Sequence, residues 1–371
     1  MESRHPVRSL NRILIAASLF VVVAPVAGAN AVDAPVSGPG VAAIAGSSPD
    51  DLAVQTQASR AVVAVSVPLR TVVASGGSGQ NGIIQLKVGS APSIPVMLDT
   101  GSVGLRIWGN KPPGSTVGST PISTQLGGKQ IPGYVGSARV TIGGVTTAVA
   151  VPFQLINSSN SWVQGWKKIG VVGILGIGVG AGDLTNPLVA LPGTLGMRWS
   201  VHIGRLGSNN KQTPGALILG AQPASDSAMR LQLPPAGADV NGAKLWNDHE
   251  ANGCWKFGVA PEQCMPTWLD SGFTKMTIVG RRFANLPTDS KGVLKSGTPI
   301  SVAAGSSASY GLHFVAGTTG SQNLTQVIAR GKESINTGNT IFFDHTVTYD
   351  ASVGKIFVAT PATSAGKVSS S

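Results

Sequence analysis

Charge, cysteine and aromatic residues are all scarce in this chain. Of its 371 residues, 12% are Asp, Glu, Lys or Arg, 5% are aromatic and two are cysteine. Two cysteines and five scattered histidines, with no C-x-x-C pair and no H-E-x-x-H helix motif, supply no metal-ligand set. There is no G-x-S-x-G turn to expose a nucleophilic serine. The Gly-rich run at 173–182 misses the G-x-G-x-x-G register, and no acidic residue follows about 20 positions on after a strand–helix unit, so it is not a dinucleotide loop. Lysines and arginines are dispersed without interleaved aromatics, which excludes a nucleic-acid-binding stripe. No cofactor, no metal and no nucleic-acid partner is expected.

What remains is Gly-rich and apolar. The chain has 49 Gly and 24 Pro, and its Val, Ile and Thr runs are short and separated by Gly, Pro, Ser and Asn, with no long amphipathic helix pattern. That combination describes an all-β protein of many short strands. Lys and Arg number 27 against 16 Asp and Glu, a formal net charge of +11. Such a charge favours acidic partners, or serves solubility alone.

Arg4, Arg8 and Arg12 precede an apolar stretch at 13–27 and a small-x-small site, Ala27-Gly28-Ala29. Residues 1–29 read as a secretory signal peptide. The alternative is a retained membrane anchor, since a span takes about 20 apolar residues. No stable span is expected once the signal is removed, and loss of its three Arg and one Glu leaves a net charge of +9. The expected location is periplasmic, secreted or associated with the cell envelope. An exported chain keeps disulfides, so Cys254 and Cys264, close in sequence, are expected to be bonded around a small structural loop.

Residues 30–75 read as a linker or short pro-segment followed by a first strand at 62–73, with Arg60 and Arg70 as the basic residues available to a pro-segment. The Gly turn 76–79 leads into the body. Pro223, Pro234 and Pro235 then divide the body into halves, 76–228 and 229–371, each of ordinary domain size.

Each half carries one copy of a short pattern. Val96-Met97-Leu98-Asp99-Thr100-Gly101-Ser102 and Trp268-Leu269-Asp270-Ser271-Gly272 both run an apolar segment into Asp-[Thr/Ser]-Gly, 171 positions apart, and each Asp is followed eight positions later by an isoleucine, Ile107 and Ile278. A lone Asp-Thr-Gly is an ordinary turn. Here strands at 82–89 and 94–98 lead into the first copy. Further matches follow in order: 133–136 with 140–144 as the second half of a hairpin, 172–177 passing beneath the first loop, 199–203 with 215–220 closing the first lobe, and 342–350 with 354–358 as the last strands. Over residues 76–360 the chain resembles the pepsin-like aspartic peptidases.

That resemblance implies a bilobal all-β fold with the active site in the cleft between lobes, and a monomeric, exported endopeptidase acting on an extended polypeptide with apolar side chains beside the cut. Asp99 and Asp270 would share one proton and activate one water. Thr100 and Ser271 would tie the two loops together, and Gly101 and Gly272 would let backbone N–H groups approach the carboxylates. Ser102 would donate to the outer oxygen of Asp99. Phe273, at the matching place in the second copy, has no donor, so Asp270 is expected to titrate higher than with Ser or Thr there. The family's flap tyrosine falls on Leu126, with Tyr134 the nearest tyrosine, and its aromatic partner falls on Arg106; a small gap in the alignment brings Tyr134 or Trp108 into those roles. Because that pair is missing, the alternative function is a weak or inactive pepsin-like module that binds peptide or an envelope component. A secreted β-rich adhesin is a third reading, which tandem repeats would support.

Overall fold

A computed structural model of the chain describes residues 64–74, 79–207, 211–223, 226–305, 311–317 and 324–360. The expected signal peptide, the expected linker at 30–60, the first two residues of the expected opening strand and the Gly turn at 76–78 lie outside the described residues. Both Asp-containing loops belong to one compact unit.

Strands dominate, as composition implies. Gln80–Val88 alternates buried and exposed positions along its second half, because one face packs on the core and the other meets solvent. Ile94–Asp99 is instead a nearly continuous buried run, since neighbours flank it on both sides: Gln80–Val88 antiparallel and Gly173–Ile177 parallel. Gly173–Ile177 then pairs antiparallel with Val103–Trp108. The second half repeats this arrangement. Ser334–Asn336 runs parallel to Gln263–Trp268 and antiparallel to Met276–Val279. In each half a strand following an Asp loop is thus sewn to the strand preceding it by a third segment from far along the chain. Ile107 and Ile278, the two isoleucines in matching frames, are both buried in these packed strands.

Two expectations from sequence are corrected. Arg198–His202 and Gly215–Leu219 pair with each other, but they do not close off the first half. Arg198–His202 continues into Thr346–Asp350, which pairs with Lys355–Ala359, which pairs with Met229–Gln232, so strands from both halves share one sheet. The cause is apolar on both strands: Trp199 lies opposite Tyr349 with stacked rings 6.1 Å apart, and Val201 lies opposite Val347, all fully or almost fully buried. Second, 133–136 and 140–144 do not form one hairpin arm. The former lies in Lys129–Ala138, while Val140–Ile142 turns away to pair with Gln80–Val88 and, across the positive-φ turn Gly143-Gly144, with Val145–Thr146.

The helices are short, Ser161–Lys168 and Thr340–Asp344, the latter taking up Phe342 ahead of the last two strands. Among the described residues no helix is long and apolar enough to cross a membrane. Cys254 and Cys264 are bonded and face each other across the antiparallel pair Ala251–Phe257 and Gln263–Trp268, the second of which leads to Asp270.

Candidate active site

Asp99 ends its strand level with Gly176, and Gly176 is in turn level with Gly104 across the next strand. Gly176 has no room for a side chain, because a methyl group there would meet Ser102 at 2.8 Å. The first loop therefore packs directly on the segment beneath it. In the second half, Gln263–Trp268, with Thr267 and Trp268 level with Ile335 and Asn336, leads into Leu269 and Asp270.

The two loops interlock. The backbone N–H of Thr100 donates to Ser271 Oγ at 2.9 Å, and that of Ser271 donates to Thr100 Oγ1 at 2.8 Å. Each hydroxyl then donates across to the opposite strand, Thr100 to Leu269 O at 2.8 Å and Ser271 to Leu98 O at 3.1 Å. Both hydroxyls are buried, so no water competes for these bonds. Tyr349, buried in the shared sheet, also donates to Leu269 O, at 3.0 Å. Asp248 accepts the N–H of Val179 at 2.8 Å; the N–H of Gly178 donates to Ser102 O at 2.9 Å, and a side chain on Gly178 would meet Asp248, Thr100 O and Ser102 O, each at 3.0 Å.

This interlock brings the carboxyl groups together. Asp99 Oδ1 accepts from Gly101 N at 2.8 Å and Asp99 Oδ2 from Ser102 Oγ at 2.6 Å. Asp270 Oδ1 accepts from Gly272 N at 3.0 Å. A side chain on Gly101 would overlap the carboxyl of Asp270, and one on Gly272 would overlap that of Asp99. The glycines thus bring their N–H groups to the carboxyl of their own loop, as expected, and also leave room for the opposing carboxyl.

Asn336 donates its side-chain N–H to Asp270 Oδ2 at 2.7 Å, filling the place that Phe273 leaves open. Asp270 nonetheless titrates high, pushed up to about 8, first because burial disfavours its charge and second because Asp99 lies beside it; the hydrogen bonds from Asn336 and Gly272 work against this, and one with Asp99 adds to it.

The flap residues stand as follows. Leu126 is the last residue of Thr116–Leu126, ahead of the positive-φ pair Gly127-Gly128. Tyr134 lies opposite Leu155 and is 52% exposed. Trp108 is buried with its indole N–H committed to Val171 O at 3.0 Å, which removes it as partner to a flap tyrosine. Arg106, at the expected aromatic position, is 2% exposed. Sequence reasoning missed Asn336, Asp248 and Tyr349. Of these only Asn336 carries a signal: Ile335-Asn336-Thr337-Gly338 repeats the apolar-Asx-Thr-Gly frame of the first loop.

Residues 63–356 match the family model described as the PE-PGRS C-terminal aspartyl peptidase-like domain. Among solved structures the chain is similar to an aspartic proteinase from Irpex lacteus, with a TM-score of 0.53 and 17% identity, covering 80% of this chain and 97% of that one. At that identity the likeness shows the fold, which is the pepsin-like aspartic proteinase fold. No curated protein matches the sequence. With four-fifths of its length matched by the family model, the chain belongs to the PE-PGRS C-terminal aspartyl peptidase-like domain family and has the pepsin-like aspartic proteinase fold.

Proposed function

We propose that this protein is an exported aspartic endopeptidase in which Asp99 and Asp270 activate one water against a peptide carbonyl. The observation that carries the reading is the reciprocal fit of the two loops. Each Asp is hydrogen-bonded by its own loop, and each loop's glycine makes room for the other's carboxyl.

The chemistry follows from the asymmetry of the pair. Two carboxyls in contact do not both ionise at moderate cost, so one proton is shared. Asp270, raised to about 8, keeps that proton over the acidic and neutral range and donates it to the scissile carbonyl oxygen. Asp99, held by Gly101 N and Ser102 Oγ, takes the proton of the attacking water. The roles exchange when the tetrahedral intermediate collapses and the amine leaves. An extended polypeptide is the substrate such a cleft takes. The bonded pair Cys254–Cys264 supports export, because disulfides persist in oxidising compartments.

The competing reading, an inactive binding module, draws on the flap: Tyr134 is half exposed and the indole N–H of Trp108 is committed elsewhere. Cleavage of a peptide library by the purified protein from pH 3 to 9, beside Asp99→Asn and Asp270→Asn and with a statine-type inhibitor, decides between them. Cleavage lost in both variants and blocked by the inhibitor is the expected result. Folded protein that binds the inhibitor and cleaves nothing would make it a binding module.

A further inference from the structure

We propose that a cavity behind the first Asp loop is a binding site for a small uncharged molecule with an apolar body and one hydrogen-bond acceptor, held by the indole N–H of Trp199. The site is separate from the carboxyl pair, since neither Asp99 nor Asp270 lines it.

Three parts of the chain enclose the cavity. The segment that follows Gly173–Ile177 makes one wall, the antiparallel pair Pro235–Ala238 and Lys244–Trp246 makes another, and Trp199 of the shared sheet makes the floor. The first wall is Gly178-Val179-Gly180-Ala181-Gly182, whose side chains are too small to fill the space in front of it. Larger ones are barred from behind: a side chain on Gly180 would meet Asp248 at 2.7 Å, and one on Gly182 would meet Val103 at 2.8 Å. The second wall is fixed by Trp246, whose backbone N–H donates to Val179 O at 2.9 Å and whose indole N–H donates to Ala351 O at 2.7 Å. A volume of 340 Å³ is left between them. A cavity of about 150 Å³ holds one benzene, so this one has room for about a dozen non-hydrogen atoms.

The lining states what kind of molecule fits. It is mainly apolar, with Leu184, Val189 and Leu245 among the residues that supply it. The charged and amide side chains around it are already engaged. Asn186 donates to Ile177 O and Gly178 O and accepts the N–H of Leu188. Asp239 accepts the N–H groups of Asn241 and Ala243, Lys244 donates to Ser352 O at 3.3 Å, and Asp183 accepts from Thr124 at 3.4 Å. A charged ligand would therefore set its charge against apolar wall. Trp199 is the exception: it is fully buried, and its Nε1 has no hydrogen-bond partner among the described residues. The indole N–H of Trp246, at the other wall, does find a carbonyl. A buried donor without an acceptor is unfavourable, so a ligand that brings one acceptor to the floor gains at that point.

The test follows the indole 15N–1H resonances of the full 15N-labelled chain, that of Trp199 assigned with Trp199→Phe. The probes are acetophenone and α-methylstyrene, which has the same shape with a methylene group in place of the carbonyl oxygen. Acetophenone is expected to move the Trp199 resonance downfield and to saturate with a Kd of about 1 mM. α-Methylstyrene is expected to bind about fivefold more weakly, which is the worth of one hydrogen bond. No saturable shift of the Trp199 resonance, or equal affinity for the two probes, would overturn the proposal. Ala238→Phe, at an exposed lining position, fills the cavity without touching Trp199 and keeps the test open where Trp199→Phe does not fold. It is expected to abolish the saturation seen with acetophenone, and an unchanged titration would place the ketone elsewhere and overturn the proposal. The resonances report without turnover, so the result is independent of whether the protein cleaves peptide.

Discussion

Asn336 and Ser102 occupy equivalent places on the two carboxyls: Asn336 donates to Oδ2 of Asp270 at 2.7 Å and Ser102 to Oδ2 of Asp99 at 2.6 Å. Ser102 lies three residues beyond its Asp, whereas Asn336 reaches Asp270 from a strand 66 positions later. The two donors are thus set by different parts of the chain, and the second depends on Ser334–Asn336 pairing correctly with Gln263–Trp268.

Removing Asn336 therefore changes the pair without touching either carboxyl. A hydrogen bond to an ionised group contributes about 1.5–3 kcal/mol, so Asn336→Ala is expected to raise the pH at which Asp270 loses its proton. The basic limb of the kcat/KM profile moves up by about one unit, since one unit is about 1.4 kcal/mol. A limb that stays in place would mean the amide acts on loop shape alone.

Gly101 and Gly272 answer a different question, whether the carboxyls need each other's space. Neither glycine has a positive φ, so Ala meets no backbone penalty at either position. It does meet the opposing carboxyl. Gly101→Ala and Gly272→Ala are each expected to cost about 1–3 kcal/mol of stability through overpacking and to abolish inhibitor binding. Calorimetric melting beside an inhibitor titration checks both; retained inhibitor affinity would show that the carboxyls separate without loss.

The interlock itself is testable as a coupling. Thr100→Val removes the acceptor for Ser271 N and the donor to Leu269 O, and Ser271→Ala removes the mirror pair. Each change leaves a buried N–H without its partner, a loss of about 1–3 kcal/mol, while Leu269 O keeps its bond from Tyr349. Since the two residues bond each other, the double variant in urea unfolding is expected to cost less than the sum of the singles, by about 0.5–3 kcal/mol. Strict additivity would mean the loops are held by their strands and not by each other.

These contrasts also explain what could be read from the sequence. The two Asp-[Thr/Ser]-Gly loops were legible because turn chemistry and an apolar lead-in are local signals, and Ile107 and Ile278 marked the same frame in both halves. The neighbour that each glycine accommodates was not legible, since Gly101 and Asp270 meet only after both lobes form. Asn336 was hidden for the same reason, although its own Asn-Thr-Gly repeats the motif. Arg106 was visible as a departure from the aromatic pattern, but nothing in a strand of Val, Gly, Leu, Arg, Ile and Trp tells that the guanidinium folds back to Val103 O and Gly104 O. The shared sheet was missed because Trp199 and Tyr349 are 150 positions apart and either strand reads equally well as the edge of its own half.

The raised pKa of Asp270 carries a stability consequence with a definite sign. In the unfolded chain an Asp releases its proton near pH 4, while in the folded protein Asp270 holds it up to about 8. Between those values the native state binds one proton more than the unfolded state, so stability falls as pH rises through that window and levels off above it. Asp270→Asn does not titrate. Its stability relative to the parent is therefore expected to grow from pH 4 to pH 8, by about 5 kcal/mol over the four units, and then to stay constant, read as a rise in the Tm difference on the order of 10 °C. Asp248, also raised chiefly by burial, is present in both proteins and cancels in the comparison. Melting curves at half-unit pH steps check this. Parallel curves across the window would mean that Asp270 is already ionised at neutral pH, and with it the assignment of Asp270 as the proton donor to the scissile carbonyl would fall.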